Sequence, residues 1–118
     1  MPGSAPDWGA LAGVRVLEAA SMLAAPLAGM MLADHGAEVV KIEMPGSGDQ
    51  MRHWGYQKGE GGLFWKMIGR NKRLVTLDLR TDEGREDFLE LLAGADVLIE
   101  NFRPGTFDRW GLGPDVLR

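Results

Sequence analysis

GVRVLEAASMLAAPLAGMMLADHGAEVVKIE, Gly13 to Glu43, holds two apolar, β-branched runs separated by a helix-length segment. The first run, Gly13 to Ala20, and the last, Ala37 to Glu43, read as strands. Between them, Ala25 to Ala37 carries small and apolar residues suited to a buried helix that stops at Gly36. Strand, helix and strand in that order make a β-α-β unit, whose crossover joins parallel strands.

Working outward toward the C-terminus, Met44 to Gly62 (MPGSGDQMRHWGYQKGEGG) is too polar and too interrupted by Gly and Pro for either element. It reads as a long loop, and such loops inside compact domains are usually functional or mobile. LFWKMIGRN adds a short helix, and KRLVTLDLR a third strand ending near Leu79. Thr81 fits an N-cap, with Asp82 and Glu83 in the first turn, where the helix dipole favours acids. Phe88, Leu91 and Leu92 give this helix an apolar stripe, and Gly94 is expected to end it in a left-handed conformation. ADVLIEN, Ala95 to Asn101, is the fourth strand. The pattern predicts an α/β fold, a Rossmann-like open parallel sheet built from β-α-β units.

The 118 residues, 45% apolar, suffice for one compact domain. We expect a disordered lead over residues 1–10 and the domain over 11–118. With 13 basic and 17 acidic residues the net charge is −4, which gives no bulk attraction to nucleic acid or an anionic membrane. Cysteine is absent, excluding disulfides, Cys-ligated zinc and thiol catalysis, and this suits a reducing cytoplasm. No basic segment followed by an apolar run opens the sequence, and no stretch approaches the apolar length of a membrane span. Neither histidine has a partner at metal-ligand spacing, so no metal is expected.

Ligands of open parallel sheets sit outside the carboxyl ends of the strands. Here those ends are EAASMLAAP, EMPGSGD, DLRTDEG and ENFRPG. Parallel strands would gather Ser21 to Ala25, Glu43, Arg80, Asn101, Phe102 and Arg103 along one edge, with Arg109 just beyond. Small residues allow close backbone approach, arginines hold phosphate and an aromatic ring offers a face to a base. That profile suits a nucleotide-containing ligand. A dinucleotide is disfavoured, because the first strand is not followed by G-x-G-x-x-G. A P-loop, a G-x-S-x-G elbow and an H-E-x-x-H helix are also missing.

The segments LAGVRVLEAASMLAAPLAGMMLADHGAEVVKIEMPGSGDQMR, GRNKRLVTLDLRTDEGRE and GADVLIENFRPGTFDRWGLG, read together, resemble the N-terminal part of the family III CoA-transferases, the CaiB/BaiF family. The match runs in order from Leu11 to the last residue, and NKRLVTLDL with ENFRPG is its most specific part. Family members are several times longer. The resemblance implies transfer of CoA from an acyl-CoA to a small carboxylic acid acceptor, through an aspartate that forms anhydride and thioester intermediates. None of the aspartates from Asp7 to Asp115 matches that motif, which the resemblance places beyond Arg118. It also implies a homodimer of interlocked chains, so this stretch alone is expected to be inactive and to expose apolar surface.

Carried over by position, the resemblance puts Leu23 and Ala24 near the thiol end and acyl group, and Leu77 and Arg80 around the adenosine. Asn101 and Phe102 match CoA-contacting positions, and Arg109 a basic contact to the phosphates, with Trp110 beside it. Arg103 belongs to the same motif. Two departures stand out. Leu23 replaces the Gln of some members, which makes formyl-CoA with oxalate a less suitable pair, and Met44 replaces an Arg found in many, so that one phosphate contact is either absent or supplied elsewhere.

Each residue also has a plainer reading. Arg80 and Arg109 would be solvated surface charges, Phe102 a core plug and Asn101 a cap of its own turn, and Gly69 to Arg73 reads equally as a charged surface loop or as a phosphate-facing one. Met22, Met30 and Met31 read as core filling, and His35 as a helix-end residue. The aromatic loop His53 to Trp65 reads equally as a lid or as a docking loop. Three functions therefore stay open: part of a CoA-transferase, part of a CoA-ester racemase or epimerase of the same family using an acid/base pair, and a non-catalytic CoA-binding or interaction module.

Overall fold

The structure, a computed structural model, describes residues 5–59 and 61–118. The β-α-β unit is formed by β1 (Arg15–Ala19), α1 (Ala24–Asp34) and β2 (Glu38–Glu43). After it come a 3-10 turn (Gln50–His53), the short strands β3 (Gln57–Lys58) and β4 (Gly61–Gly62), and α2 (Leu63–Ile68). Then follow β5 (Lys72–Thr76), α3 (Asp82–Ala93), β6 (Val97–Glu100) and two one-turn helices, α4 (Thr106–Arg109) and α5 (Pro114–Leu117). The main sheet has the order β5-β2-β1-β6 and every neighbouring pair is parallel. All four carboxyl ends therefore share one edge.

Side chains alternate across the strands, and the two faces carry different cores. Leu17, Ala19 and Ile42 point to one face, where Phe88 of α3, Phe107 of α4, Leu79 and Leu112 complete an apolar cluster. Val16 and Val39 point to the other, against Ala33 of α1 and Ala37. A third cluster joins Met30 of α1 to Met51 and to Ile68 of α2, tying the long loop to the two helices.

Several expectations need correction. The third strand ends at Thr76 rather than near Leu79, because its partner β2 ends at the paired Glu43; Leu77 N–H makes one last bond to Glu43 O (3.0 Å). The long loop is not structureless: buried Met51 and Asp49 anchor its 3-10 turn, and β3 and β4 pair as an antiparallel two-stranded ribbon. Gly94 has φ −95°, so no left-handed residue ends α3. A Cβ there would stand 2.9 Å from Arg15 Nη1, the end of a half-exposed side chain that can move aside. Leu91 lies at the exposed margin of the α3 stripe, which Phe88, Leu89 and Leu92 fill. Met30 is core, whereas Met22 and Met31 are exposed. Thr81 does cap α3, accepting from Gly84 N–H at 3.0 Å.

Residues 1–4 of the expected lead lie outside the described residues. Trp8 and Gly9 lie against His35 and Gly36 at the end of α1, and Leu11 N–H bonds to His35 O (2.9 Å).

Candidate functional site

The carboxyl edge of the sheet carries two adjoining hollows, with a third of about 330 Å³ beyond the end of β5 between Thr76, Leu77, Asp78 and Thr81. One, of about 210 Å³, lies between Ala20, Ser21, Glu43, Met44, Asp49 and Phe102. Its neighbour, about 320 Å³, is framed by Met44, Gly46, Ser47, Gly48, Arg52 and Thr76. They share Glu43, Met44, Ser47 and Gly48, so they form one cleft along the strand ends. At the amino edge, by contrast, the cavity beside Arg15 and Glu38 measures only about 20 Å³, room for little more than one water.

The β1 exit is built by residues from far along the chain. Asn101 Nδ2 donates to Ser21 O (2.7 Å), and Ser21 N–H donates to Asn101 Oδ1 (3.1 Å). Asn101 therefore does not cap its own turn: it clips the end of β1 to the end of β6. Met22, next along, has φ +67°, a left-handed conformation that non-glycine residues seldom adopt. Its N–H donates to Asp49 Oδ1 (3.3 Å). Leu23 and Ala24 follow at the start of α1, both exposed.

Below this turn lies a group of buried charges. Lys41 Nζ meets Glu18 Oε2 (2.7 Å), Ala20 O (2.8 Å) and Asp49 Oδ2 (2.8 Å). Lys72 Nζ meets Glu18 Oε1 (2.8 Å) and Pro26 O (2.7 Å). All four side chains are shut off from solvent. Two carboxylates face two ammonium groups, so the group is neutral as a whole. The contacts to Glu18 Oε1 and Asp49 Oδ2 are charge pairs without aligned hydrogen bonds. Burial lowers the Lys72 ammonium below its ordinary range, opposed by its close contact with the Glu18 carboxylate and that group's charge.

Glu43 extends this chemistry to the cleft wall. Its Oε1 and Oε2 accept from Arg52 Nη2 (2.6 Å) and Nε (2.8 Å), and Oε2 also accepts from Asp49 N–H (2.8 Å). Burial pushes the Glu43 carboxyl up, but the bonds from Arg52 and Asp49 N–H outweigh it and hold the carboxyl below the usual range. The Arg52 guanidinium also stacks 4.4 Å from the Trp65 ring, a cation–π contact.

At the other exits, Leu77 is half-buried and packs on the apolar core. Arg80 turns outward to Asp78, with Nε to Oδ1 at 2.8 Å and Nη2 to Oδ2 at 2.9 Å, which holds the Asp78 carboxyl below its usual range. Phe102 lines the cleft and leans on Phe107 and Trp110, centroids 5.4 and 5.2 Å away. It is both wall and core plug. Arg109 is exposed, with Nη2 donating to Thr106 Oγ1 (3.1 Å), and Arg103 is exposed as well. The fold thus groups Ser21, Leu23, Ala24, Asn101 and Phe102 at β1 and β6, and sets Leu77 and Arg80 at β5. Three strand spacings separate β5 from β6, roughly 14 Å. Only a long ligand would reach both.

Glu18, Lys41, Asp49, Arg52 and Lys72 were not singled out from the sequence. Lys72 sits in the stretch read as a surface loop, yet Arg70 clamps Asp34, Arg73 pairs with Glu38, and Lys72 is buried. One signal was there: charges inside β-branched runs, VLEAA and VVKIE, which a buried parallel strand accepts only when they are paired.

The family model described as CoA-transferase family III matches residues 11–118. The succinyl-CoA–D-citramalate CoA-transferase of Chloroflexus aurantiacus is 51% identical over 105 residues, 88% of this chain and 26% of that protein. The succinyl-CoA:mesaconate CoA-transferase of Haloarcula hispanica is 46% identical over 116 residues, 93% of this chain and 29% of that one. The crystal structure of a CaiB/BaiF family protein from Brucella suis matches with a TM-score of 0.85 at 40% identity, covering 94% of this chain and 30% of its own. The chain spans less than a third of the length of these relatives. The chain belongs to CoA-transferase family III.

Proposed function

We propose that the chain supplies part of the CoA-binding site of an enzyme that moves CoA from an acyl-CoA to a carboxylic acid. Succinyl-CoA is the donor and a small dicarboxylic acid the acceptor. The names of the relatives support the chemistry: the Chloroflexus and Haloarcula proteins are succinyl-CoA transferases acting on citramalate and mesaconate. The cleft supports the ligand class. A CoA thioester is long and flexible, and the strand ends offer a continuous trough from Thr76 to Phe102. In this reading Leu23 and Ala24 face the thiol end, Phe102 with Trp110 behind it forms an apolar wall, and Leu77 and Arg80 hold the adenosine end. Arg109 is an exposed cation for phosphate.

The observation that carries the division of labour is the state of the acids in the cleft. Transfer through an enzyme carboxylate needs a free, exposed nucleophile. The carboxylates lining the cleft, Glu43 and Asp49, are both committed: Glu43 is forked to Arg52, and Asp49 is buried on Lys41 and on backbone N–H groups. An attacking oxygen would have to leave Arg52 in the one case and the buried Lys41 in the other, so neither carboxylate serves as the nucleophile.

The experiment is incubation of the protein with succinyl-CoA and, separately, citramalate, malate and mesaconate, reading new CoA thioesters by mass. Binding of succinyl-CoA is expected, with no new thioester formed by these 118 residues alone, because neither cleft carboxylate is free to act as the nucleophile. A folded protein that neither transfers nor binds CoA would overturn the proposal.

A further inference from the structure

Met22 is held in its left-handed conformation by something other than its own side chain, which is exposed. Such a backbone persists in a non-glycine residue only when its surroundings impose it. Two side chains from distant elements do so. Asn101 takes both polar groups of Ser21, and Asp49 takes the N–H of Met22. Asp49 is in turn immobilised: Oδ2 lies on Lys41 Nζ, Oδ1 also accepts from Met51 N–H at 2.9 Å, and its own N–H is bound by Glu43. Lys41 is locked by Glu18, and Glu18 by Lys72. Buried ion groups of this kind add little net stability over apolar packing of the same volume. Here the group lies under one turn of one cleft.

We propose that Asp49 is a positioning residue: held by Lys41, it sets the Met22–Leu23 turn and so fixes how Leu23 and Ala24 meet the acyl end of the ligand. The ligand half of this inference rests on the CoA reading above; the turn half does not. Gly29 fits the same account. It lies on α1 directly above Glu18, where a Cβ would collide with Glu18 Oε1, so α1 is open at the one point where the charges pass beneath it.

The test has a ligand-free arm and a ligand arm. Amide hydrogen exchange is followed in the wild-type protein, Asp49→Ala and Asp49→Asn. In Asp49→Ala, exchange at Met22 should speed up by roughly tenfold or more, as expected for loss of a hydrogen bond to a charged group. Asp49→Asn keeps one acceptor oxygen but must turn its NH2 toward either Lys41 or the Met22 and Met51 N–H groups, so it should restore the protection only in part, while Leu17 and Val39 inside the sheet exchange as before. Equal exchange at Met22 in all three proteins overturns the proposal. Should Asp49→Ala fail to fold, Met22→Gly decides: glycine takes the left-handed turn without strain, so Tm should rise, and a fall in Tm overturns the claim that the turn is imposed. In the ligand arm, calorimetry compares succinyl-CoA with free CoA. Asp49→Ala should lose affinity for succinyl-CoA and keep it for CoA; equal losses would make Asp49 a residue of the fold alone. If the wild type binds neither, the CoA reading fails, and the exchange at Met22 still decides the turn.

Discussion

The two faces of one sheet solve the same problem by different means. Toward α3 and α4, Leu17, Ala19, Ile42, Phe88, Phe107 and Leu112 make a core of carbon, with Phe88 edge-on to Phe107 at 6.0 Å. Toward α1 the amino half is also apolar, with Val16, Ala33 and Val39, but the carboxyl half holds Glu18, Lys41 and Asp49, and the Lys72 ammonium reaches into it from the start of β5. In the register, Leu17 pairs with Val40 and the next residue, Glu18, with Lys41. A step of one residue crosses from hydrocarbon to ions. Apolar packing is non-directional and tolerates small changes of shape. Ion pairs in a dry interior demand particular partners, and each of these leads to a backbone group at the β1 exit or at the start of α1. One face supplies stability; the other fixes positions.

The comparison is broken most directly by Lys41→Met. It leaves Glu18 and Asp49 buried without their shared cation, and about 3–5 kcal/mol of stability should be lost in urea unfolding. Ile42→Val, one residue along and on the other face, should cost about 1 kcal/mol. Equal costs would erase the distinction between the faces.

Gly29→Ala sharpens it, since a single methyl group on α1 meets Glu18. Overpacking of this kind costs about 1–3 kcal/mol, and the double variant with Lys41→Met should lose less than the sum. Full additivity would show that the methyl and the ion group do not interact.

The smallest effect is in pH. The Glu43 carboxyl is held below its ordinary value in the folded protein. Its pair with Arg52 therefore contributes stability that is complete above the unfolded carboxylate range and is lost as pH falls through the lower folded value. Glu43→Gln should flatten the acid limb of the stability curve, whereas Ile42→Val should shift that limb without changing its slope. An unchanged slope in Glu43→Gln would remove Glu43 from the account.

Much of this architecture was legible because its causes are local. Alternating β-branched runs and Gly36 mark β1, α1 and β2, and Thr81 with Asp82 and Glu83 marks the start of α3 within four residues. The parallel sheet followed from their order. The ionic face was less legible, because its partners are chosen across the chain: Lys41 finds Glu18 at a separation of 23 residues, and Asn101 finds Ser21 at 80. A turn cap is the plainer local reading of Asn101, because a cap is the nearest use for such a side chain; its hydrogen bonds to Ser21 depend on β6 lying beside β1. Strand order alone puts Arg80 just after β5, but it does not foretell that Asp78 grips it.

The central claim is that the carboxyl edge binds CoA, and the most direct test is to titrate CoA while following every backbone amide by NMR. The account predicts saturable shifts at Ser21 to Ala24, Met44 to Asp49, Asn101 and Phe102, extending to Arg80 and Arg109, with Arg15, Glu38 and Gly94 at the amino edge unmoved. A folded protein with no shifts, or with shifts confined to the amino edge, would contradict it.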